Sequence, residues 1–360
     1  MIITDFARKP APSTPQPTRY DPSWVDRLNH WIEQLPGSPL LFYVALGLVL
    51  SVLHAAIKWW DSSYPPGTFQ PFHVVVMCFG VWFMGLAHYL NRAAKRAFER
   101  FRPVLDCNKY CCNELEYRLT TLPARPTLLV TALGLAYGIF VVVGVAQGTV
   151  FDPAALVFTS PLAVWFESAS GIFVCTAFCL LVYHTIHQAR MINLIYTTST
   201  RIDLFNLTPI HAFSVLTAQT AAGGLPIAYA WILTEPGIAG DSFSVAAVAI
   251  LMIVALITFL WPLLGIHRLL EEEKSLAKVK AARRIKQCID RLHEHVDKDK
   301  LAEAPNPINA IAGLKQELAF LEQISTWPWQ PNPLPALARA LVLPLVLWFV
   351  TRLLERLITF

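Results

Sequence analysis

The stretch 40–57, LLFYVALGLVLSVLHAAI, carries no charged residue, and the segment behind it, 59–70 (WWDSSYPPGTFQ), holds no Lys or Arg. A run of this length and apolarity approaches the roughly 20 residues a helix needs to cross a ~30 Å hydrocarbon core. Comparable runs follow at about 72–90, 127–146, 161–183, 209–233 and 243–266, and a more interrupted one at 336–351. The loops 147–160 and 232–242 also lack Lys and Arg. The alternating segments 1–39, 91–126, 186–208 and 267–335 hold 25 of the 29 basic residues. Basic residues collect on the cytoplasmic side of short membrane loops. The pattern therefore predicts an all-α, polytopic helical membrane protein of the cell membrane, with about seven transmembrane helices and a cytoplasmic N-terminus. The last run contains Arg339 and Pro344 and is followed by Arg352 and Arg356. Two arrangements stay open for it: a seventh span with snorkelling arginines, or a re-entrant or surface helix after six spans.

Composition points the same way. With 55% hydrophobic and 15% charged residues and a mean hydropathy of +0.46, the chain is too apolar for an ordinary soluble domain. Its net charge of +4 lies in the basic segments, where it suits anionic lipid headgroups. The expected partner is therefore the lipid bilayer and not nucleic acid. The loops placed outside contain no Cys, so no structural disulfide is expected; Cys107, Cys111 and Cys112 form a cluster in an inner segment. The first apolar run begins behind a long polar stretch, which does not fit a cleaved signal peptide.

Four regions follow. Residues 1–39 combine a Pro-rich polar tail with an amphipathic helix at 23–35, whose Trp24, Leu28, Trp31 and Leu35 suit a membrane interface. Residues 40–266 form a six-span bundle with a basic helical loop at 91–126, broken at Pro103 and Pro123. In 267–335, Leu276, Val279, Ala282, Ile285, Ile289, Leu292 and Val296 recur at helical spacing, and Ile311, Leu314, Leu318 and Leu321 repeat it after a break at Pro305 and Pro307. That pattern predicts a cytosolic antiparallel hairpin with a coiled-coil seam. Residues 336–360 form the terminal membrane helix.

Glu167 is the one carboxylate well inside a span. A charge there costs at least ~2.5–3.5 kcal/mol, which makes an ion or proton path one reading. A hydrated or internally hydrogen-bonded structural carboxylate is the other. Span five carries His211, Ser214, Thr217, Gln219 and Thr220 ahead of Gly223, Gly224 and Pro226. Such a polar face lines a cavity or packs in mid-bundle with a local kink. His88, His184, His187, His211 and His267 gather near inner span ends; His184 and His187 are weak metal or haem candidates, and no cofactor is expected. Gly134, Gly138, Gly144 and Gly148 form small-xxx-small repeats for close helix packing. Phosphate loops, nucleophile elbows and zinc-protease motifs are absent from the sequence, which weighs against an enzyme.

The run Ile324–Pro331, ISTWPWQP, between a charged helix and a terminal apolar one, resembles a run in prokaryotic multi-span proteins of no assigned activity. In layout alone, the chain is similar to insect chemoreceptor channels, which implies a last span, with Arg339 and Thr351, beside a conduction path. The leading expectation is a non-enzymatic receptor-like or channel-like homo-oligomer with a cytosolic helical assembly layer. A secondary transporter using Glu167 and the polar face of span five is one alternative. A membrane redox protein built on the inner histidines is another.

Overall fold

The computed structural model describes residues 19–147, 160–199, 204, 207–234, 242–297 and 305–327, with single positions at 339, 346 and 350. Among the described residues the regular structure is helical: α1 (Trp24–Gln34), α2 (Pro39–Trp60), α3 (Pro71–Phe101), α4 (Lys109–Thr120), α5 (Ala124–Ala146), α6 (Pro161–Ser199), α7 (His211–Thr234), α8 (Ser242–Asp297) and α9 (Pro305–Gln323). Five of them, α2, α3, α5, α6 and α8, contain stretches long and apolar enough to cross a membrane, so the fold is compatible with a membrane protein. The fifth expected span corresponds to α7, whose 24 residues suffice in length. Its His, Gln, Ser and Thr side chains lower its hydropathy below that of the other five. The expected run at 336–351 lies outside the described residues apart from Arg339, Val346 and Val350, which are helical and exposed.

α3 is the axis of the bundle. It packs against α2, α4, α6 and α7, and its Leu90, Ala94 and Phe101 are completely buried. At one end, Phe101, Tyr196 of α6 and Phe213 of α7 close an aromatic triangle with centroids 4.9–5.6 Å apart. We term this the proximal end; the opposite end, where α2 hands over to α3, is the distal end. α5 lies on the outside. Its Leu128, Leu129, Leu133, Ile139 and Phe140 are exposed, as befits side chains with lipid as solvent.

What holds α5 in place is backbone proximity to α6. A Cβ added to Gly134 would meet Thr176 Cα at 2.9 Å, and one added to Gly138 would meet Ile172 Cα at 2.8 Å. Gly144 is also buried, and Gly148 lies outside the described residues.

Four expectations are corrected or refined. On α1, Trp24 and Trp31 of the face assigned to the interface turn outward, while Val25 and Ile32, outside that face, are buried against the bundle. Helix α1 is apolar on two sides, and the protein takes the side bearing Asn29. A capping box starts this helix, and its Asp26 Oδ2 accepts from Ser23 N, Ser23 Oγ and Leu122 N at 3.1, 2.6 and 3.0 Å. Tyr20 donates to Thr121 O at 2.6 Å, and Tyr117 donates to Tyr20 O at 2.7 Å, so residues 19–34 are strapped to the α4–α5 junction.

Second, Cys107 and Cys112 are joined as a disulfide, because the Asn108 cap turns the chain directly into α4 and brings Cys112 back over Cys107. Third, the second arm begins at Pro305, a few residues ahead of the expected start, and Pro305 and Pro307 lie in the first turn of α9, where a missing N–H costs nothing.

Fourth, α8 and α9 do pack as an antiparallel hairpin, but on a rotated line. Leu321 of the expected seam is buried, as is Ala281 outside it, whereas Leu276, Val279, Ile289 and Val296 of the expected seam stay exposed. Polar contacts fix the register. Lys274 Nζ donates to Glu322 O and Ile324 O at 2.9 and 2.6 Å, closing the C-terminus of α9. The His267 and Trp327 rings stack at 3.9 Å.

Substituting Gly138 with Leu should force α5 off α6 and destabilise the protein by about 1–3 kcal/mol or more. The matched substitution Gly313→Ala, where nothing lies within 4 Å of the new methyl, should be neutral or stabilising. Unfolding midpoints in mild detergent compare the two; equal midpoints would remove the close α5–α6 contact from the account.

Candidate functional site

Helix α2 buries its polar side. Along 22 residues it buries Gly47, Ser51, His54, Ala55 and Lys58, while Leu48, Val49, Val52 and Leu53 face outward. His54 and Lys58 are four residues apart, hence stacked on one helix face. Both are only 2% exposed. The segment 61–70 then reverses the chain tightly. Ser62 has φ 59° and Gly67 φ 84°, Trp59 Nε1 donates to Thr68 O at 2.8 Å, and Tyr64 N donates to Lys58 O at 3.2 Å. That reversal sets the start of α3, with His73, beside the end of α2.

Glu167, in the second turn of α6, completes the cluster from a third helix. Its Oε1 lies 2.8 Å from His54 Nε2 and 3.1 Å from Lys58 Nζ, with the side chain 12% exposed. The His54 ring stacks with Phe166 at 6.1 Å and with His73 at 5.7 Å. The Tyr64 hydroxyl sits 2.9 Å from His73 Nδ1 and 3.2 Å from Gln70 Oε1. Lys58 Nζ lies 5.8 Å from the Tyr64 ring centre. Burial, with the Glu167 charge adding to it, pushes the Tyr64 hydroxyl up to about 12, so it remains a hydrogen-bond donor at any working pH. The cluster is a buried, neutralised ion pair extended by two stacked imidazoles and a phenol.

A second polar layer lies toward the proximal end. His184 Nε2 and Gln188 Nε2 donate to Asn91 Oδ1 at 2.7 and 3.3 Å, and His187 Nε2 donates to Arg118 O at 2.8 Å. Beside them a cavity of about 10 Å³, room for one water, lies between α6 and α7 and is lined in part by Thr185, Gln188, Thr217 and Thr220. Between this layer and the distal cluster run the buried side chains Phe79, Phe83, Leu180 and Leu181.

The structure brings some of the anticipated residues together and separates others. Glu167 stands in the distal cluster, about as far along α6 as the helix allows from the polar face of α7. Ser214 and Thr217 are buried and Thr220 is partly buried; the threonine hydroxyls donate to Ser214 O and Leu216 O. His211 and Gln219 are half-buried and do not line the cavity. α7 stays helical through Gly223, Gly224 and Pro226, and Trp82 Nε1 donates to Gly223 O at 2.9 Å. His184 and His187 are committed to Asn91 and Arg118, and His88 lies between Tyr43 and Glu33. Among the described residues no three His, Cys, Asp or Glu side chains are arranged to hold a metal ion. Arg339 is exposed, with its sequence neighbours outside the described residues.

Sequence reasoning found Glu167 but missed His54, Lys58, Tyr64 and His73. The signal was present: Ser51, His54 and Lys58, spaced three and four, mark one polar face on the first apolar run. Lys58 falls between the run ending at 57 and the loop beginning at 59. Comparison with protein-family models, curated proteins and solved structures finds no match for this chain.

A buried ion pair is costly to break on one side only. Lys58→Met and Glu167→Gln should each destabilise the protein by about 3–5 kcal/mol, and the double substitution by clearly less than the sum of the two. Unfolding in mixed micelles measures the cycle; strictly additive losses would show that the two groups do not interact.

Proposed function

We propose that the chain is a non-enzymatic, receptor-like membrane protein that reads a condition at its distal end and reports it through its helices to the hairpin beyond its proximal end. The distribution of Lys and Arg supports an orientation in which the distal cluster faces outside and the hairpin lies in the cytoplasm. The observation that carries the proposal is continuity. α3 and α6 hold His73 and Glu167 at one end, and run unbroken for 31 and 39 residues to the other. There α6 packs on α4 and α8, and α8 continues into the hairpin. At 1.5 Å per residue the 56-residue α8 is roughly 84 Å long, more than enough to cross a bilayer and extend beyond it. A rigid helix turns a small shift at one end into a displacement at the other. The exposed Leu276, Val279, Ile289 and Val296 support assembly of several copies through this helical layer.

The transporter alternative draws on the cavity between α6 and α7. It needs a polar route joining that cavity to Glu167, and the intervening buried residues are Phe79, Phe83, Leu180 and Leu181. The receptor reading needs no such route.

Hydrogen exchange on the full chain in lipid nanodiscs tests the proposal. Glu167→Gln should change amide protection in 267–297 and 305–323 as well as around the cluster. Unchanged hairpin protection would sink the receptor reading, and solute uptake into proteoliposomes that is lost in Glu167→Gln would replace it with the transporter.

A further inference from the structure

The Tyr64 hydroxyl has one proton and two acceptors. With the cluster neutral, it donates across 2.9 Å to His73 Nδ1, which leaves the imidazole proton on Nε2. Gln70 Oε1, at 3.2 Å from the same hydroxyl, is the alternative. A second proton on His73 would occupy Nδ1 and turn it into a donor. Tyr64 then accepts from His73 and its own O–H swings to Gln70 Oε1. No buried polar atom is orphaned by the exchange, so the network holds either protonation state with its hydrogen bonds intact. The proton has a short way in. Residues 65–70 are exposed, and Tyr64, His73 and Gln70 sit directly beneath or within that segment.

The charged state is not mechanically silent. His73 is the third residue of α3, within the first turn that holds the helix's unpaired amides, and the Gln70 cap makes no side-chain hydrogen bond to them. A cation in the first turn is unfavourable there. The titratable groups around His73 are His54 and Lys58 of α2, Tyr64 of the reversal and Glu167 of α6. Glu167 already holds His54 and Lys58 on one oxygen, and these two groups at the end of α2 are the cationic or proton-donating neighbours of His73. Added charge on His73 therefore repels the end of α2 and is repelled by the start of its own helix.

We propose that His73 is a proton-binding switch: it takes a proton from the aqueous side through the Tyr64–Gln70 segment, reverses the Tyr64 hydrogen bond, and drives the start of α3 away from the end of α2. The proton is then the stimulus that the receptor reading requires, and in that sense the inference rests on that reading.

The test uses the full chain in nanodiscs with histidine labelled in the imidazole nitrogens. His73 is assigned by its loss in His73→Gln. Between pH 8 and pH 5 its signal should pass from the singly protonated, Nε2–H form to the doubly protonated form. In parallel, hydrogen exchange in 71–80, corrected for intrinsic rates, should speed up by about tenfold with the same midpoint, and this step should vanish in His73→Gln. A His73 that keeps one proton across the range overturns the proposal even if His73→Gln does not fold, because the titration is read on the unaltered chain. A titration without the exchange step, or an exchange step that survives in His73→Gln, overturns it as well. If the step at 71–80 appears but the hairpin stays unchanged, the proton switch stands and the receptor reading fails, so the two are told apart.

Discussion

In hydrocarbon a polar group has no water to fall back on, and every one that enters must be satisfied by the protein itself. The Lys58–Glu167 contact, buried at the end of α2, satisfies two such groups inside the protein. Its 3.1 Å separation joins α2 to α6, while His54 on the same carboxylate oxygen and His73 stacked beside it bring in α3. Three helices that could otherwise slide against one another in an apolar solvent are locked in register by one oxygen atom. Because lipid and leucine are equally apolar, burial of aliphatic surface alone would not choose that register. α2 makes the point: its aliphatic residues face out and its polar ones face in.

Much of the fold is open to inspection in the sequence. Apolar length locates α2, α3, α5, α6 and α8 to within a few residues at their first turns, and the glycines at 134 and 138 mark the close contact with α6. Rotation is less accessible. α1 has apolar side chains on two faces, Val25 and Ile32 on one and Trp24 and Trp31 on the other, and hydrophobic period cannot say which face meets protein when lipid accepts either. The same ambiguity hides the true contact line of α8, where Ala281 is buried and Val279, two residues back and equally apolar, is exposed. Glu167 is legible because a lone carboxylate in an apolar run is conspicuous. Its partners are not, because they lie 94 to 113 residues away and only the reversal at 61–70 brings His73 to them.

The distal cluster and the proximal polar layer obey the same constraint with different chemistry. Near α4 the polar groups are amides and neutral imidazoles that use backbone carbonyls and Asn91 as partners, as in the contact from His187 to Arg118 O. Such bonds are short-range and tolerate little change in charge. At the distal end a carboxylate meets an ammonium, and Lys58 and His54 share one acceptor oxygen. On the proposed reading, the end that responds is the one carrying Glu167.

The apolar layer between them decides what kind of response is possible. Phe79 and Phe83 of α3 and Leu180 and Leu181 of α6 are buried in one core. Gly80 admits the Phe173 ring so closely that an added Cβ would collide with it. A close-packed layer of that sort has little room to absorb displacement, which suits the proposed receptor reading better than the transporter. On the proposed reading, movement passes along α6 to α8, on which it packs and which continues into the hairpin.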